Sequence, residues 1–176
     1  MQIFRNYSVI FLIAILVQSC ATVPTEVISN PSGKIVSFGI YAYSKNGGRS
    51  WVNPISTSPT IWEGRDAVLV KKTDKIPLIK DINFAFEYEL KGLPDGEVKL
   101  DWTVSHPKIV KPDGTTSTGY SYKRSVLVEK GKAEGWSGYI LNQDYELVTG
   151  KWTFSYSYNG IVLVKKTFTI YFNKNS

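Results

Sequence analysis

Three patterns in this sequence predict an all-β protein. Runs of alternating apolar and polar residues recur along the chain, turn sequences rich in Gly, Pro, Asn and Asp separate them, and no convincing helical periodicity follows the first twenty residues. Short strands spaced by turns are typical of two packed antiparallel sheets and favour a sandwich over a barrel. The predicted fold is a single immunoglobulin-like antiparallel β-sandwich of about seven to nine strands.

The C-terminal third shows these patterns most clearly. Aromatic residues alternate with Thr and Ser over residues 152–158, which gives a strand one aromatic and one polar face. Asn159-Gly160 follows and favours a type I′ hairpin turn, because both central positions of that turn need positive φ. Residues 161–172 are predicted to be the return strand, and residues 145–150 a corner before the hairpin.

The sequence is less regular between residues 35 and 79. Residues 35–43 are predicted to form the first strand. Residues 44–64 contain an Asn-Gly-Gly sequence and two prolines, and they are predicted to form a long loop with at most one short strand around Trp51. Residues 67–71 are predicted to be a strand. Residues 76–79 include a proline, which places them at a sheet edge or in a linker.

The middle of the chain predicts further strands. Apolar and polar residues alternate over residues 82–90 and again over residues 98–104, and Pro94-Asp95-Gly96 between them is a turn sequence. These two runs are therefore predicted to pair as a hairpin. His106-Pro107 is predicted to end the second run. Two more strands are predicted at residues 120–128 and 136–141.

The N-terminus resembles a bacterial lipoprotein signal peptide. Residues 9–17 are uninterruptedly apolar, too short to cross ~30 Å of hydrocarbon but of the right length for a signal-peptide core. They run into Val17-Gln18-Ser19-Cys20, which resembles the motif in which the cysteine is lipidated. Cys20 is the single cysteine of the chain, so it cannot form an intramolecular disulfide. A cleaved secretory signal with an incidental cysteine is the alternative.

This reading divides the chain into three parts. Residues 1–19 are the expected signal peptide, residues 20–33 the lipidated cysteine and a flexible tether, and residues 34–173 the sandwich. Two or more acyl chains would anchor the protein to a membrane without spanning it. By resemblance to other lipoproteins, Ala21 after the cysteine favours the outer membrane, with the domain facing the periplasm.

Composition and motifs argue against several classes of function. The net charge of +6 is spread along the chain rather than gathered in a basic stripe, so nucleic-acid binding is not indicated. The chain has a single His and lacks a Gly-x-Ser-x-Gly elbow, a P-loop and an EF-hand loop. We therefore expect no metal, no cofactor, no catalytic residue and no enzymatic activity.

Three residues remain as candidate ligand contacts. Trp51 and Trp62 lie in the irregular region, where indole faces stack on sugars or pack under loops. His106 stands beside a long loop, where it could serve a function or cap the strand end by hydrogen bonding to loop backbone. Glu87 and Glu89 share a strand face and are predicted to form a solvated charged ladder with the neighbouring strand rather than a glycosidase pair.

Several segments together resemble an uncharacterised bacterial family, a domain of unknown function found in exported proteins. The resemblance covers about residues 35–171. It implies an exported β-sandwich and no particular activity. The segments are Gly92-Leu93-Pro94-Asp95-Gly96-Glu97, His106-Pro107, Pro112-Asp113-Gly114, Ser137-Gly138-Tyr139, and Tyr145-Glu146-Leu147-Val148 followed by Gly150 and Trp152-Thr153-Phe154.

These observations lead to three hypotheses. The first is a lipid-anchored envelope module that holds a protein partner without catalysis. The second is a carbohydrate or peptidoglycan binder that uses Trp51, Trp62 and the loop at His106. The third is an envelope hydrolase built on His106 or on a carboxylate pair that includes Glu87.

Overall fold

The computed structural model describes residues 30–43, 49–63 and 67–172, without the side chains of residues 49, 62 and 63. The predicted signal peptide, the lipidation at Cys20, most of the predicted tether and the side chain of Trp62 therefore lie outside the described part. None of the helical structure within the described ranges has the length and apolarity of a membrane span.

The described residues form eleven strands and one turn of 3-10 helix. Nine of these strands make up the two sheets of the sandwich, in agreement with the predicted seven to nine, and β2 and β3 lie where mostly loop was predicted. In chain order the strands are β1 (Ser32–Tyr43), β2 (Arg49–Val52), β3 (Thr60–Glu63), β4 (Ala67–Lys71), β5 (Lys75–Pro77), β6 (Asn83–Lys91), β7 (Gly96–Val110), β8 (Thr116–Val128), β9 (Lys132–Ile140), β10 (Gly150–Tyr158) and β11 (Ile161–Tyr171), and the 3-10 turn covers Asp144–Glu146.

Two sheets pack face to face, as the sequence predicts. The four-stranded sheet has the order β4-β1-β6-β9 and the five-stranded sheet the order β5-β11-β10-β7-β8, while β2 and β3 form a separate ribbon. Neighbouring strands are antiparallel, except that the short edge strand β5 runs parallel to β11. The prediction of an immunoglobulin-like β-sandwich is confirmed.

The predicted hairpin of residues 82–90 with residues 98–104 is wrong. Strand β6 pairs with β1 and β9, whereas β7 pairs with β8 and β10 in the other sheet. The turn between them crosses from sheet to sheet, and Leu93 within it packs into the core with 4% of its surface exposed. An apolar strand face can be buried across the sandwich as well as beside a neighbour, so the alternation alone does not identify the partner strand.

The charged ladder predicted across that hairpin is wrong for the same reason. Glu89 on β6 forms an ion pair with Lys34 of β1 at 2.8 Å. Asp101 on β7 forms one with Lys123 of β8 at 2.6 Å. The two sets of charges thus lie on different sheets, each paired with its own neighbouring strand.

The C-terminal hairpin forms as predicted. Strand β10 pairs with β11 along its whole length, and Tyr158 lies opposite Ile161 beside the turn. Asn159 and Gly160 have φ values of 48° and 80°, both in the left-handed region that a type I′ turn requires.

Strand β7 does not end at His106-Pro107 as predicted. It continues to Val110, and its register against β8 shifts between Ser105 and Ile109. Pro107 has no N–H to give to the ladder, and a bulge lets the strand pass that position without the missing hydrogen bond. His106, at the bulge, is buried with 6% of its surface exposed.

The core lies between the two sheets and is rich in aromatic rings. Phe84 of β6 faces Phe168 of β11 with ring centroids 5.2 Å apart and meets Trp152 of β10 edge-on at 6.0 Å. Such edge-to-face contacts add about 0.5–1.5 kcal/mol to the burial of the rings. Trp102 and Trp152 are 3% and 0% exposed, so both belong to the core.

Candidate functional site

Strand β4 exposes apolar side chains on both of its faces. It is outermost in the four-stranded sheet and, among the strands described, pairs only with β1. Val68 and Val70 are 66% and 65% exposed, and Leu69, which points the other way, is 37% exposed. A strand of this kind offers an apolar surface and one row of backbone N–H and C=O groups to another extended chain.

A cleft lies between β8 and β9, the strands that are outermost in their two sheets on the same side of the sandwich. Its volume is about 70 Å³. We refer to it as the β8–β9 cleft. The residues that line it are Tyr43, Ser56, Ser58, Thr60, Ile61, Trp102, Tyr120, Tyr122, Arg124, Trp136, Ser137, Gly138, Tyr139, Ile140 and Asn142.

Aromatic rings form much of this cleft. Tyr43 and Trp136, both half-buried, have ring centroids 5.4 Å apart. Trp102 packs against Tyr122 at 5.0 Å, and its indole Nε1–H donates to the Ser137 hydroxyl oxygen at 2.7 Å. The buried indole is thereby fixed in orientation and provides a rigid floor, while the half-buried rings remain accessible at the sides.

Among the described residues that line the cleft, Arg124 is the one that carries a charge. Its Nη1 donates to the hydroxyl oxygen of Tyr156, which is fully buried, at 3.0 Å. Burial raises the pKa of Tyr43 and of Tyr120, and the nearby guanidinium of Arg124 only partly offsets this for Tyr43. Both phenols are therefore neutral at pH 7, and the cleft carries one positive charge among neutral hydroxyl groups.

His106 holds the loop of residues 53–59 against the sandwich. Its Nδ1 lies 2.7 Å from the Pro107 carbonyl oxygen, so Nδ1 carries the proton and donates. Its Nε2 then accepts from the Thr57 hydroxyl at 2.8 Å, and the Thr57 oxygen lies 2.8 Å from Ser117 Oγ. We refer to the side chains of Thr57, His106 and Ser117 as the His106 cluster.

The His106 cluster lacks the features of a catalytic nucleophile system. Thr57 is only 1% exposed, and the His106 Nδ1–H donates to a backbone carbonyl rather than to a carboxylate that would stabilise an imidazolium. Burial lowers the pKa of His106 below 6.5, and the charge of Lys111 lowers it further, against the bond to Pro107. The ring is therefore neutral at pH 7, and its role in the described geometry is to position the loop.

Two further bonds hold the same loop. The Lys111 ammonium donates to the Ser56 carbonyl at 3.1 Å, and the Tyr145 hydroxyl donates to the Thr57 carbonyl at 3.4 Å. Tyr145 belongs to the predicted corner, and its bond reaches a residue 88 positions upstream. This loop, with its buried Ser and Thr residues, therefore forms a fixed wall at one end of the β8–β9 cleft.

Glu146 is a buried carboxylate that sequence reasoning did not single out. It has no exposed surface, and its Oε1 accepts from the Tyr139 hydroxyl at 2.7 Å. Its Oε2 accepts from the backbone N–H groups of Asn142 and Gln143 at 3.1 and 3.0 Å. Burial raises the pKa of Glu146 above 4.5 although these three bonds favour the ionised form.

The carboxylates considered from the sequence lie on the outer face of the four-stranded sheet. Glu87, Glu89 and Glu134 line a shallow depression of about 300 Å³. Glu87 accepts from the Tyr41 hydroxyl at 3.0 Å, and the bond from Lys34 holds the pKa of Glu89 below its usual range. Glu89 is therefore ionised at neutral pH and is not a general acid. Within the described ranges, no group of three His, Cys, Asp or Glu residues could hold a metal ion.

Trp51 and His106, two of the three predicted ligand contacts, do not share an exposed site. Trp51 on β2 is 37% exposed, whereas His106 is buried beneath the loop. The Trp62 side chain lies outside the described part. A ligand role for Trp51 and Trp62 stays a prediction, and the described geometry gives His106 a place inside the fold.

Sequence reasoning missed Tyr43, Tyr122 and Arg124 as members of one cleft. A local signal existed in β8, where Tyr120, Tyr122 and Arg124 alternate with Ser121 and Lys123 and so share one strand face. A cation on an otherwise aromatic face is unusual for a strand that packs on a core. The approach of β1 and β9 to this face had no local signal.

Comparison with solved structures supports the fold. An immunoglobulin-like protein from Pseudomonas aeruginosa is similar to 82% of this chain over 99% of its own, with 18% sequence identity and a TM-score of 0.58. At that identity the similarity shows the fold alone. An alkylpurine DNA glycosylase from Pseudomonas fluorescens, solved bound to DNA, matches 56% of this chain over 27% of its own at 17% identity. Its TM-score of 0.35 is too low to carry an argument.

Comparison of sequences identifies the family. None of the curated proteins matches the chain significantly. Residues 29–170 match the family described as a domain of unknown function, DUF3859, and this match covers nearly all of the described sandwich. The chain therefore belongs to the DUF3859 family.

Proposed function

We propose that this chain is a non-catalytic binding module of the bacterial cell envelope that holds a protein partner by strand addition at β4. The observation that carries the proposal is the exposure of Val68, Leu69 and Val70, three consecutive aliphatic residues of an outermost strand. Natural edge strands usually carry charges, prolines or bulges that prevent pairing with other chains. The centre of β4 carries neither a charge nor a proline, and the register shift of its pairing with β1 lies beside Val70.

The partner is expected to be an extended segment with small apolar residues and a nearby acidic group. Full burial of a Val or Leu side chain contributes ~1.5–3 kcal/mol, so covering these three partly exposed residues would contribute a few kcal/mol. Lys71 and Lys72 follow directly, and both are exposed. Their charges favour a carboxylate near that end of the added strand and disfavour a basic one.

Two features support a role without catalysis. The one histidine is buried, neutral and bonded to the Pro107 carbonyl and to Thr57. Glu87 and Glu89 are each bonded to a neighbour on the sheet surface, the first to Tyr41 and the second to Lys34.

The location in the envelope is part of the same proposal and rests on the N-terminal sequence. Lipidation at Cys20 would hold the sandwich at a membrane through a tether of residues 21–33, and the outer membrane facing the periplasm is the favoured site. The mass of the N-terminal peptide from protein purified out of membranes would show whether Cys20 carries acyl chains.

Photo-crosslinking in cells tests the role of β4. A photoreactive phenylalanine analogue is placed at Val70, or as a control at Val162, which is 56% exposed on β11. We expect a discrete adduct with another protein from Val70 only. Val68→Lys in the same chain should abolish the adduct, whereas Ile161→Lys, a change of another exposed aliphatic residue, should not.

Three outcomes would overturn the proposal. They are no adduct from Val70, an adduct insensitive to Val68→Lys, and an adduct of twice the chain's mass. The last would mean that β4 pairs with a second copy. Both lysine substitutions lie at exposed positions, so we expect each variant to unfold within about 0.5 kcal/mol of wild type.

A further inference from the structure

The start of β1 and the hairpin between β10 and β11 lie at the same end of the sandwich. Ser32, the first residue of β1, pairs with Lys91, where β6 ends and the chain turns into β7. Gly33 lies against β11, because a Cβ at this position would be 2.9 Å from the Leu163 carbonyl oxygen. The turn between β10 and β11 is therefore beside the point where the chain enters the sandwich. We refer to this end as the tether end.

The tether end carries exposed aliphatic side chains. Ile161 and Val162, directly after the hairpin turn, are 50% and 56% exposed. Leu127 of β8 is 67% exposed and pairs with Glu97, the second residue of β7, so it lies at the same end. Exposed aliphatic residues at one end of a domain favour contact with a partner or a membrane. The proposed pairing at β4 uses none of them.

The charges at the tether end select neither an anionic nor a cationic surface. Lys91 and Asp95 lie at the turn between β6 and β7, Glu129 and Lys130 lie at the turn between β8 and β9, and all four are exposed. Asp95 also accepts from the backbone N–H of Gly131 at 2.6 Å, so the two turns lie side by side. Because charges of both signs are interspersed, a contact here would depend on the aliphatic side chains rather than on net charge.

The tether is too short to let the opposite end of the sandwich rest on a membrane. This step rests on the proposed lipidation at Cys20. Asn30, the first described residue, follows Cys20 by ten positions, and a fully extended chain spans at most ~36 Å over them. The 15 residues of β7 run ~50 Å from the tether end to Val110. The end at Val110 therefore cannot reach the bilayer, since the tether would have to run back along the whole sandwich.

We propose that the tether end rests on the membrane surface, with Ile161 and Val162 inserted at the boundary between headgroups and acyl chains. Two aliphatic side chains alone bind a bilayer weakly. The lipid anchor makes their contact intramolecular, at an effective concentration on the order of millimolar, so that even a weak contact is populated. Strand β4 pairs with the last four residues of β1, away from the tether end. This orientation therefore leaves the β4 edge above the membrane and open to a partner.

Photo-crosslinking to lipid tests the proposal at two matched positions. Val162 and Val110 are both 56% exposed, and they lie at opposite ends of the sandwich. A photoreactive phenylalanine analogue is placed at one or the other position of the full chain in its own membrane. After irradiation and proteolysis, we expect a peptide that is heavier by one phospholipid from position 162, about tenfold more abundant than the corresponding adduct from position 110.

A second arm separates this proposal from the proposed lipidation. Residues 21–176 with Ala21→Cys contain every described element and a single thiol. This thiol is coupled to a maleimide-bearing phosphatidylethanolamine in phosphatidylcholine vesicles, with or without phosphatidylglycerol. We expect the same preference for position 162 in both lipid mixtures, because the charges at the tether end are mixed. An N-terminal peptide without acyl chains from the native protein would overturn the lipidation, whereas the coupled chain tests the orientation by itself.

Four results would overturn the proposal. The first is the absence of a lipid adduct from position 162 in the coupled chain, and the second is an equal yield of lipid adduct from positions 162 and 110. The third is a protein adduct in place of the lipid adduct at position 162. The fourth is a stronger lipid adduct from Val70 than from Val162, which would mean that the sandwich lies on its β4 edge.

Discussion

Replacement of Glu146 would show how much of the stability depends on one buried carboxylate. Glu146→Ala leaves the Tyr139 hydroxyl and the N–H groups of Asn142 and Gln143 without their acceptor. Leaving a buried donor unsatisfied costs ~1–3 kcal/mol. The Tyr139 hydroxyl is buried, whereas the two N–H groups are partly buried and water can reach them more readily. Together with the cavity left behind, we expect a loss of about 3–5 kcal/mol.

Glu146→Gln is the matched control. Its amide oxygen can accept from the two backbone N–H groups, and its NH₂ can donate to the Tyr139 oxygen, so only the Tyr139 O–H loses its acceptor. We expect a loss of about 1–2 kcal/mol, smaller than that of the Ala variant. Urea unfolding of residues 21–176 measures both variants, with equal m-values as the check that the unfolded states are comparable. Equal losses in the Ala and Gln variants would refute the reasoning.

The pH dependence gives an independent check. Burial raises the pKa of Glu146 above 4.5 in the folded state. The folded chain then binds this proton more tightly than the unfolded chain, so the contribution of Glu146 is full below pH 4.5 and is lost as pH rises through its folded pKa. The Gln side chain of Glu146→Gln does not titrate. The free energy of unfolding of wild type minus that of the variant should therefore fall as pH rises from 4.5 through the folded pKa. A difference that rises with pH would contradict the assignment.

Two further predictions concern the His106 cluster and strand β9. Because burial lowers the pKa of His106 below 6.5, its contribution is full above pH 6.5 and is lost as pH falls towards the folded pKa, so the stability advantage of wild type over His106→Gln should shrink in that range in urea unfolding. Gly138→Ala would place a Cβ 2.2 Å from the Phe84 carbonyl oxygen and should lower the unfolding free energy by ~2 kcal/mol or more. Gly114→Ala, with open space but a φ of 82°, should lose only about 1–2 kcal/mol, and similar melting temperatures for the two variants would contradict the packing argument.

The strands could be predicted from the sequence because their signals are local. The alternation in residues 152–158 and the turn at Asn159-Gly160 lie within one short segment, and the predicted ribbon formed. The partners of β6 and β7 are not local information. A turn such as Pro94-Asp95-Gly96 permits either a hairpin or a crossing between sheets, and burial of Leu93 in the core favours the crossing.

The cleft could not be predicted for the same physical reason. Tyr43, Arg124 and Trp136 come from three strands that are far apart along the chain and meet only through the order of strands in the two sheets. The predicted site at Trp51, Trp62 and His106 relied on irregular sequence as a sign of exposure. In the structure Ser56, Thr57 and Ser58 are buried and Thr57 bonds to His106, so irregular sequence did not mean an exposed surface.

The order of strands also determines how strand β4 and the β8–β9 cleft lie relative to each other. Strands β4 and β9 are the two outermost strands of the four-stranded sheet, so an added strand at β4 would not extend that sheet into the β8–β9 cleft. The surfaces approach each other at one point, because Tyr43 of the cleft pairs with Ala67 at the start of β4. Val70 lies three residues beyond Ala67, which makes it the better crosslinking position. A change at Val70 probes the edge strand and leaves the Tyr43–Trp136 contact in place.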